Sequence, residues 1–137
     1  MTTIEKPLKD KLILLIEHDS FLAKYIEGNL KVAGAQIVGP ARTAQEANAL
    51  IVRLREPPHA VLISSLILET EGSSIGDALE LLGAPLLLIA NTRPSYGADA
   101  ATILFSVFDY DQRNVADDAN REFRIIKKKI KKALLVP

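Results

Sequence analysis

The chain has 137 residues, no cysteine and no tryptophan, and its 17 basic side chains are balanced by 17 acidic ones. That length favours one domain, and a composition 48% hydrophobic and 25% charged is that of a globular protein rather than a disordered one. Without cysteine there is no disulfide framework, no cysteine zinc site and no thiolate nucleophile.

The opening MTTIEKPLKDK carries acids and a proline where a signal peptide would be apolar, and no apolar run approaches a membrane span. A cytoplasmic protein with no membrane partner is therefore expected. The neutral total conceals an asymmetry. Residues 120–137 hold seven bases against one acid, a net +6, which leaves residues 1–119 at −6 with 10 bases and 16 acids. Such a basic segment invites a nucleic-acid or membrane reading, but the plainer reading is a solvated helix face whose bases favour a helix C-terminus.

In chain order, residues 1–10 read as a flexible arm and residues 11–134 as a single domain. Lys11 to Ile16 is a continuous apolar run, the pattern of a strand buried on both faces, and it ends on Glu17-His18-Asp19. Asp19 or Ser20 caps a helix with Phe21, Leu22, Tyr25, Ile26, Leu30 and Ala33 at helical spacing, and Gly34 stops it. Ala35 to Pro40 is a second strand. Thr43-Ala44-Gln45-Glu46 is a capping box opening a helix that buries Ala47, Leu50, Ile51 and Leu54 and ends at Pro57-Pro58.

Ala60 to Ile63 forms a third strand leading into Ser64-Ser65. After a loop, Ile75 to Leu82 gives a short helix closed by Gly83. Pro85 to Ala90 is the fourth strand. A turn-rich stretch follows, with a brief helix over Ala98 to Thr102, and Ile103 to Phe108 is the fifth strand. The last helix begins near Asp117 and sets Phe123, Ile126, Ile130 and Leu134 on one buried stripe. Lys127, Lys128, Lys131 and Lys132 fall mostly off that stripe.

Buried strands alternating with about five helices define a doubly wound α/β fold with a five-stranded parallel sheet. Ligand sites in such sheets lie at the C-terminal strand ends. The functional candidates are therefore Glu17-His18-Asp19, Ser64-Ser65, Ala90-Asn91-Thr92 and Asp109.

In that ordering the chain resembles the receiver domain of two-component response regulators. The resemblance rests on the acidic turn after the first strand, the Gly39-Pro40-Ala41 segment, and Asp77-Ala78-Leu79-Glu80-Leu81-Leu82-Gly83-Ala84-Pro85, and it covers residues 11 to about 134. It implies a flavodoxin-like sheet of order 2-1-3-4-5. In the family, two acids after the first strand hold Mg²⁺, an aspartate ending the third strand accepts a phosphoryl group, and a Thr or Ser and a Lys contact it. Here Glu17 matches the first acid and His18 replaces the second. Ser64 stands at the acceptor position (Ser65 with a one-residue slip), Ala90 at the Thr/Ser position and Asp109 at the Lys position, with Tyr110 following.

These replacements remove the chemistry together. A serine hydroxyl without a base is a poor nucleophile, Mg²⁺ needs more than one carboxylate, and Asp109 would repel a phosphate. The resemblance therefore implies a pseudo-receiver: a signalling and interaction module of a phosphorelay, not an enzyme, with no catalytic residue, no resident cofactor and Mg²⁺ binding weak or lost. Its partner would be a signalling protein or a second copy, with Phe105, Phe108, Arg124, Lys127, Lys128, Lys131 and Lys132 as candidate interface residues.

Two alternatives rank below it: an atypical phospho-accepting receiver using Ser64, Ser65 or Asp19, and a nucleic-acid-binding module using the basic last helix. His18 with Ser64 also suggests a hydrolytic pair, but no Gly-x-Ser-x-Gly elbow surrounds the serine. The Glu17-His18-Asp19 run is more simply a polar turn and helix cap than a metal cluster.

Overall fold

In the computed structural model the described residues are 6–89, 109–110, 125–126, 128–130 and 133. Four strands, β1 (Leu12–Ile16), β2 (Gln36–Ala41), β3 (Ala60–Ser64) and β4 (Leu86–Ile89), form a parallel sheet in the order β2-β1-β3-β4. Three helices alternate with them: α1 (Ser20–Val32), α2 (Ala44–Ile51) and α3 (Ser65–Leu82). Residues 125–126, 128–130 and 133 are also helical.

The unbroken apolar runs of β1, β3 and β4 are explained by burial on both faces of the sheet. Successive side chains point to opposite sides, so each strand feeds two cores. Ile13, Leu15, Ala60, Leu62, Leu87 and Ile89 pack with Leu22, Ile26 and Leu30 of α1 and with Ile126 and Ile130. Leu14, Ile16, Val61, Ile63 and Leu88 pack with Ala44 and Ala47 of α2 and Ile67, Ile75 and Leu79 of α3. The described part of the expected last-helix stripe, Ile126 and Ile130, is thus buried against α1, and Lys128 is exposed as expected. Arg124, Lys127, Lys131 and Lys132 lie outside the described residues.

Caps fall where side-chain chemistry places them. Asp19 accepts the Leu22 N–H at 2.9 Å, and Thr43 accepts the Glu46 N–H at 3.1 Å. The Glu46 carboxylate reaches back to the Arg42 N–H at 2.7 Å, one residue earlier than the standard reciprocal box. Gly83 takes a left-handed φ of 65° at the C-cap of α3.

Several expectations are corrected. The loop expected between Ser65 and Ile75 is helical: α3 runs unbroken from Ser65 to Leu82. Its polar middle, Glu69 to Ser74, reads as loop by composition, yet burial of Ile67 and Ile75 against the sheet holds it helical, as do hydrogen bonds to α2. The Glu71 carboxylate accepts the Ala44 N–H at 3.1 Å, and the Asn48 amide donates to the Ser74 carbonyl at 2.9 Å.

Phe21, placed on the buried face of α1, is 70% exposed, because the row Leu22, Ile26, Leu30 faces the sheet and Phe21 precedes it by a quarter turn. Helix α2 ends at Ile51, with Val52 as its C-cap, before Leu54 and the Pro57-Pro58 stop. Outside β4, the described pairing is the two-residue strand β5 (Asp109–Tyr110), and it is antiparallel, with Leu87 opposite Asp109 and Leu86 opposite Tyr110. The parallel strand expected over residues 103–108 lies outside the described residues, with Phe105 and Phe108 in it.

The amino-terminal segment is docked from Lys6 onward. Leu8 is fully buried in the α1-side core, and its N–H donates to the Ala33 carbonyl at 2.8 Å. Gly34, at φ 102°, admits this approach: a β-carbon there would stand 3.0 Å from the Lys9 backbone.

Candidate functional site

The C-terminal ends of β1 and β3 lie side by side, with Ile16 opposite Ile63, so the residues following them meet at the same edge of the sheet. Glu17 continues β1, and its N–H donates to the Ala41 carbonyl at 2.8 Å. That bond fixes the turn into α1. Glu17 and Ser64 are almost completely buried, while His18 is one-third exposed.

The three side chains converge. His18 Nδ1 lies 2.9 Å from Glu17 Oε2 and 3.2 Å from Ser64 Oγ. Glu17 Oε2 also accepts the Asp19 N–H at 3.1 Å. Burial pushes the Glu17 carboxyl above its ordinary value, because desolvation disfavours the charged form more than the Asp19 N–H and the neighbouring imidazole favour it. Nothing in β3 supplies a base to the serine. Ser64 makes no capping bond to α3 and engages His18 instead.

One contributor had not been singled out from the sequence. The Arg42 guanidinium donates to the His18 carbonyl at 3.2 Å from Nη2 and 3.4 Å from Nε. A basic residue directly after the second strand and before a helix cap was the available signal. It clamps the β1–α1 turn to the end of β2.

Of the five pocket positions, Glu17, His18 and Ser64 are brought together. Ala90 lies outside the described residues. Asp109 is not carried to this edge: its backbone pairs at the level of Leu87, two residues along β4 from Ile89, the residue opposite Ser64. Two residues of strand are roughly 7 Å. The antiparallel direction of β5 takes the chain from there toward the other edge of the sheet.

The chemistry of this cluster is narrow. A serine–histidine relay needs the acid and the hydroxyl on opposite ring nitrogens, whereas here both meet Nδ1. The donors do not fit Mg²⁺ either. One carboxylate stands in the cluster, its Oε2 already accepts an imidazole and a backbone N–H, and the remaining donors are a histidine nitrogen and a serine hydroxyl rather than the oxygen-rich set magnesium takes. Among the described residues no helix is long and apolar enough to cross a membrane. Compared with protein-family models, curated proteins and solved structures, the chain matches none of them.

Proposed function

We propose that this protein is a receiver-like module of a phosphorelay pathway that acts by binding a protein partner and not through an aspartyl phosphate. The observation that carries this reading is the closed Glu17–His18–Ser64 cluster at the C-terminal edge of a parallel sheet of order 2-1-3-4. Receiver chemistry needs carboxylates at that edge. Here a buried serine stands at the end of β3 and a histidine ties it to the single acid. The distribution of helices supports the same reading, with α1 and the C-terminal helical residues on one face and α2 and α3 on the other.

On this reading the protein is cytoplasmic, and the partner is a signalling protein or a second copy. The basic last helix supplies the charged part of the contact, so association weakens as ionic strength rises.

The test restores the missing acids. The native chain, incubated with acetyl phosphate and Mg²⁺ and mapped by peptide mass, is expected to carry no phosphoryl group on Asp19, Ser64 or Ser65. The double variant His18→Asp with Ser64→Asp is expected to gain a Mg²⁺-dependent rise in Tm, because an ion that binds only the folded state stabilises it. A Mg²⁺-dependent adduct on the native chain, or a folded double variant blind to Mg²⁺, refutes the proposal.

A further inference from the structure

The chain has two histidines, and their hydrogen bonds set them in opposite tautomers. His59 accepts the Leu12 N–H on Nδ1 at 2.9 Å, so in the neutral ring its proton sits on Nε2 and no nitrogen lone pair is left over. His18 is the reverse. Its Nδ1 faces the Glu17 carboxyl at 2.9 Å; with that carboxylate ionised the ring proton sits on Nδ1, which leaves the lone pair on Nε2.

A carboxylate on one ring nitrogen fixes the tautomer and orients the other nitrogen outward, as it does for metal-bound histidines. Glu17 is itself fixed by the Asp19 N–H, and Ser64 Oγ lies 3.2 Å from the same Nδ1, so both contacts fall on one ring nitrogen and neither takes Nε2. The charged groups around it are Glu17, Asp19 and Arg42. Glu17 is occupied by the ring, the Asp19 carboxylate caps α1, and Arg42 reaches the His18 carbonyl, bringing a cation to the same turn. The amino-terminal ends of α1 and α3 open at this edge and add positive dipole ends.

The geometry points to His18 Nε2 as a phosphoryl acceptor that takes its phosphoryl group from a P–N donor such as another phosphohistidine. The Nε2 lone pair forms the new N–P bond as the donor P–N bond breaks. The donor group, protonated beforehand (on the distal ring nitrogen of a phosphohistidine, on the amine nitrogen of phosphoramidate), departs neutral with the electron pair of the broken bond. The ring becomes a phosphorylated imidazolium that keeps its Nδ1 proton, and Glu17 balances that charge. No Mg²⁺ is required, and the step needs only the hydrogen bonds around His18. It therefore stands independently of the receiver reading.

The probe is potassium phosphoramidate, applied to the full chain without Mg²⁺, with the adduct mapped by peptide mass and checked for loss in acid and persistence in alkali. His18 is expected to be labelled roughly tenfold faster than His59, whose ring must first give up its bond to Leu12. Glu17→Gln is expected to slow labelling of His18 severalfold while leaving the rate at His59 unchanged, a contrast that general unfolding would not produce. Equal labelling of both rings, labelling of His59 alone, no adduct, or a Glu17→Gln variant as fast as the native chain overturns the assignment. A Mg²⁺-dependent adduct on Asp19, Ser64 or Ser65 bears on the proposed function and not on this one.

Discussion

Replacing Leu8 by alanine tests how far the folded domain extends toward the amino terminus. The side chain is completely buried among Leu30, Ala33 and their neighbours, although it lies in a segment whose sequence, KPLKD, is charged and proline-containing. Truncation to alanine removes three methylene equivalents, worth about 2.4 kcal/mol at about 0.8 kcal/mol each. The cavity left behind adds to this, so a loss of roughly 3 kcal/mol falls within the usual range for a buried leucine. With a urea slope of about 1.5 kcal/mol per molar, the unfolding midpoint drops by roughly 2 M. The control is Leu81→Ala, since Leu81 is 88% exposed and its loss is expected to stay within about 0.5 kcal/mol. Urea denaturation followed by far-UV circular dichroism reads both. Equal, small shifts for the two variants would refute the docking of residues 6–10 and return the boundary to residue 11.

Other consequences follow from the same geometry. Gly39→Ala would place a β-carbon 2.6 Å from the Leu15 carbonyl oxygen at a φ of 104°, so β1 and β2 must part; a loss of more than about 2 kcal/mol is expected in thermal melts, and a neutral variant would be incompatible with this backbone. Thr43→Ala removes the acceptor of the Glu46 N–H and should cost about 1 kcal/mol, with Thr43→Ser restoring most of it.

Glu17 has a folded-state pKa raised above 4.5 by burial, so the folded chain holds its proton where the unfolded chain has released it. Its contribution is therefore fully present below about pH 4 and declines as pH rises through the folded value. Stability of Glu17→Gln relative to the native chain should improve as pH rises above the ordinary carboxyl value of 4.5, and a flat difference would show that the carboxyl is not desolvated.

The parts of the fold that could be read from the chain are those governed by local chemistry. Unbroken apolar runs marked β1, β3 and β4, and Asp19, Thr43 and Gly83 act as the caps their side chains suggest. The candidate site was legible in part for the same reason: polar residues directly after apolar strands in a parallel sheet must gather at one edge, which placed Glu17, His18 and Ser64 together. Arg42 went unnoticed because its role is played through a backbone carbonyl 24 residues away, for which the sequence carries no pattern.

Composition misled where packing competes with propensity. The stretch Glu69 to Ser74 looks like a loop, and only the approach of α2, with Ala44 and Asn48 bonding to it, makes the helical form the better one. Leu8 is the converse case, a lone apolar residue among charges with no periodicity to betray it. What buries it is the cluster it shares with Leu30 and Ala33, reached through its N–H bond to the Ala33 carbonyl and the close approach that Gly34 admits.

By itself the sequence determined the alternation of strands and helices from β1 to β4, the caps at Asp19, Thr43 and Gly83 and the +6 and −6 division of its charge, because each depends on residues close together in the chain. Strand order, the full length of α3, the docking of Leu8 and the sharing of one histidine nitrogen between Glu17 and Ser64 were decided by the tertiary structure. These last are contacts between residues distant in sequence, and their free energy comes from burial and desolvation that no local pattern encodes.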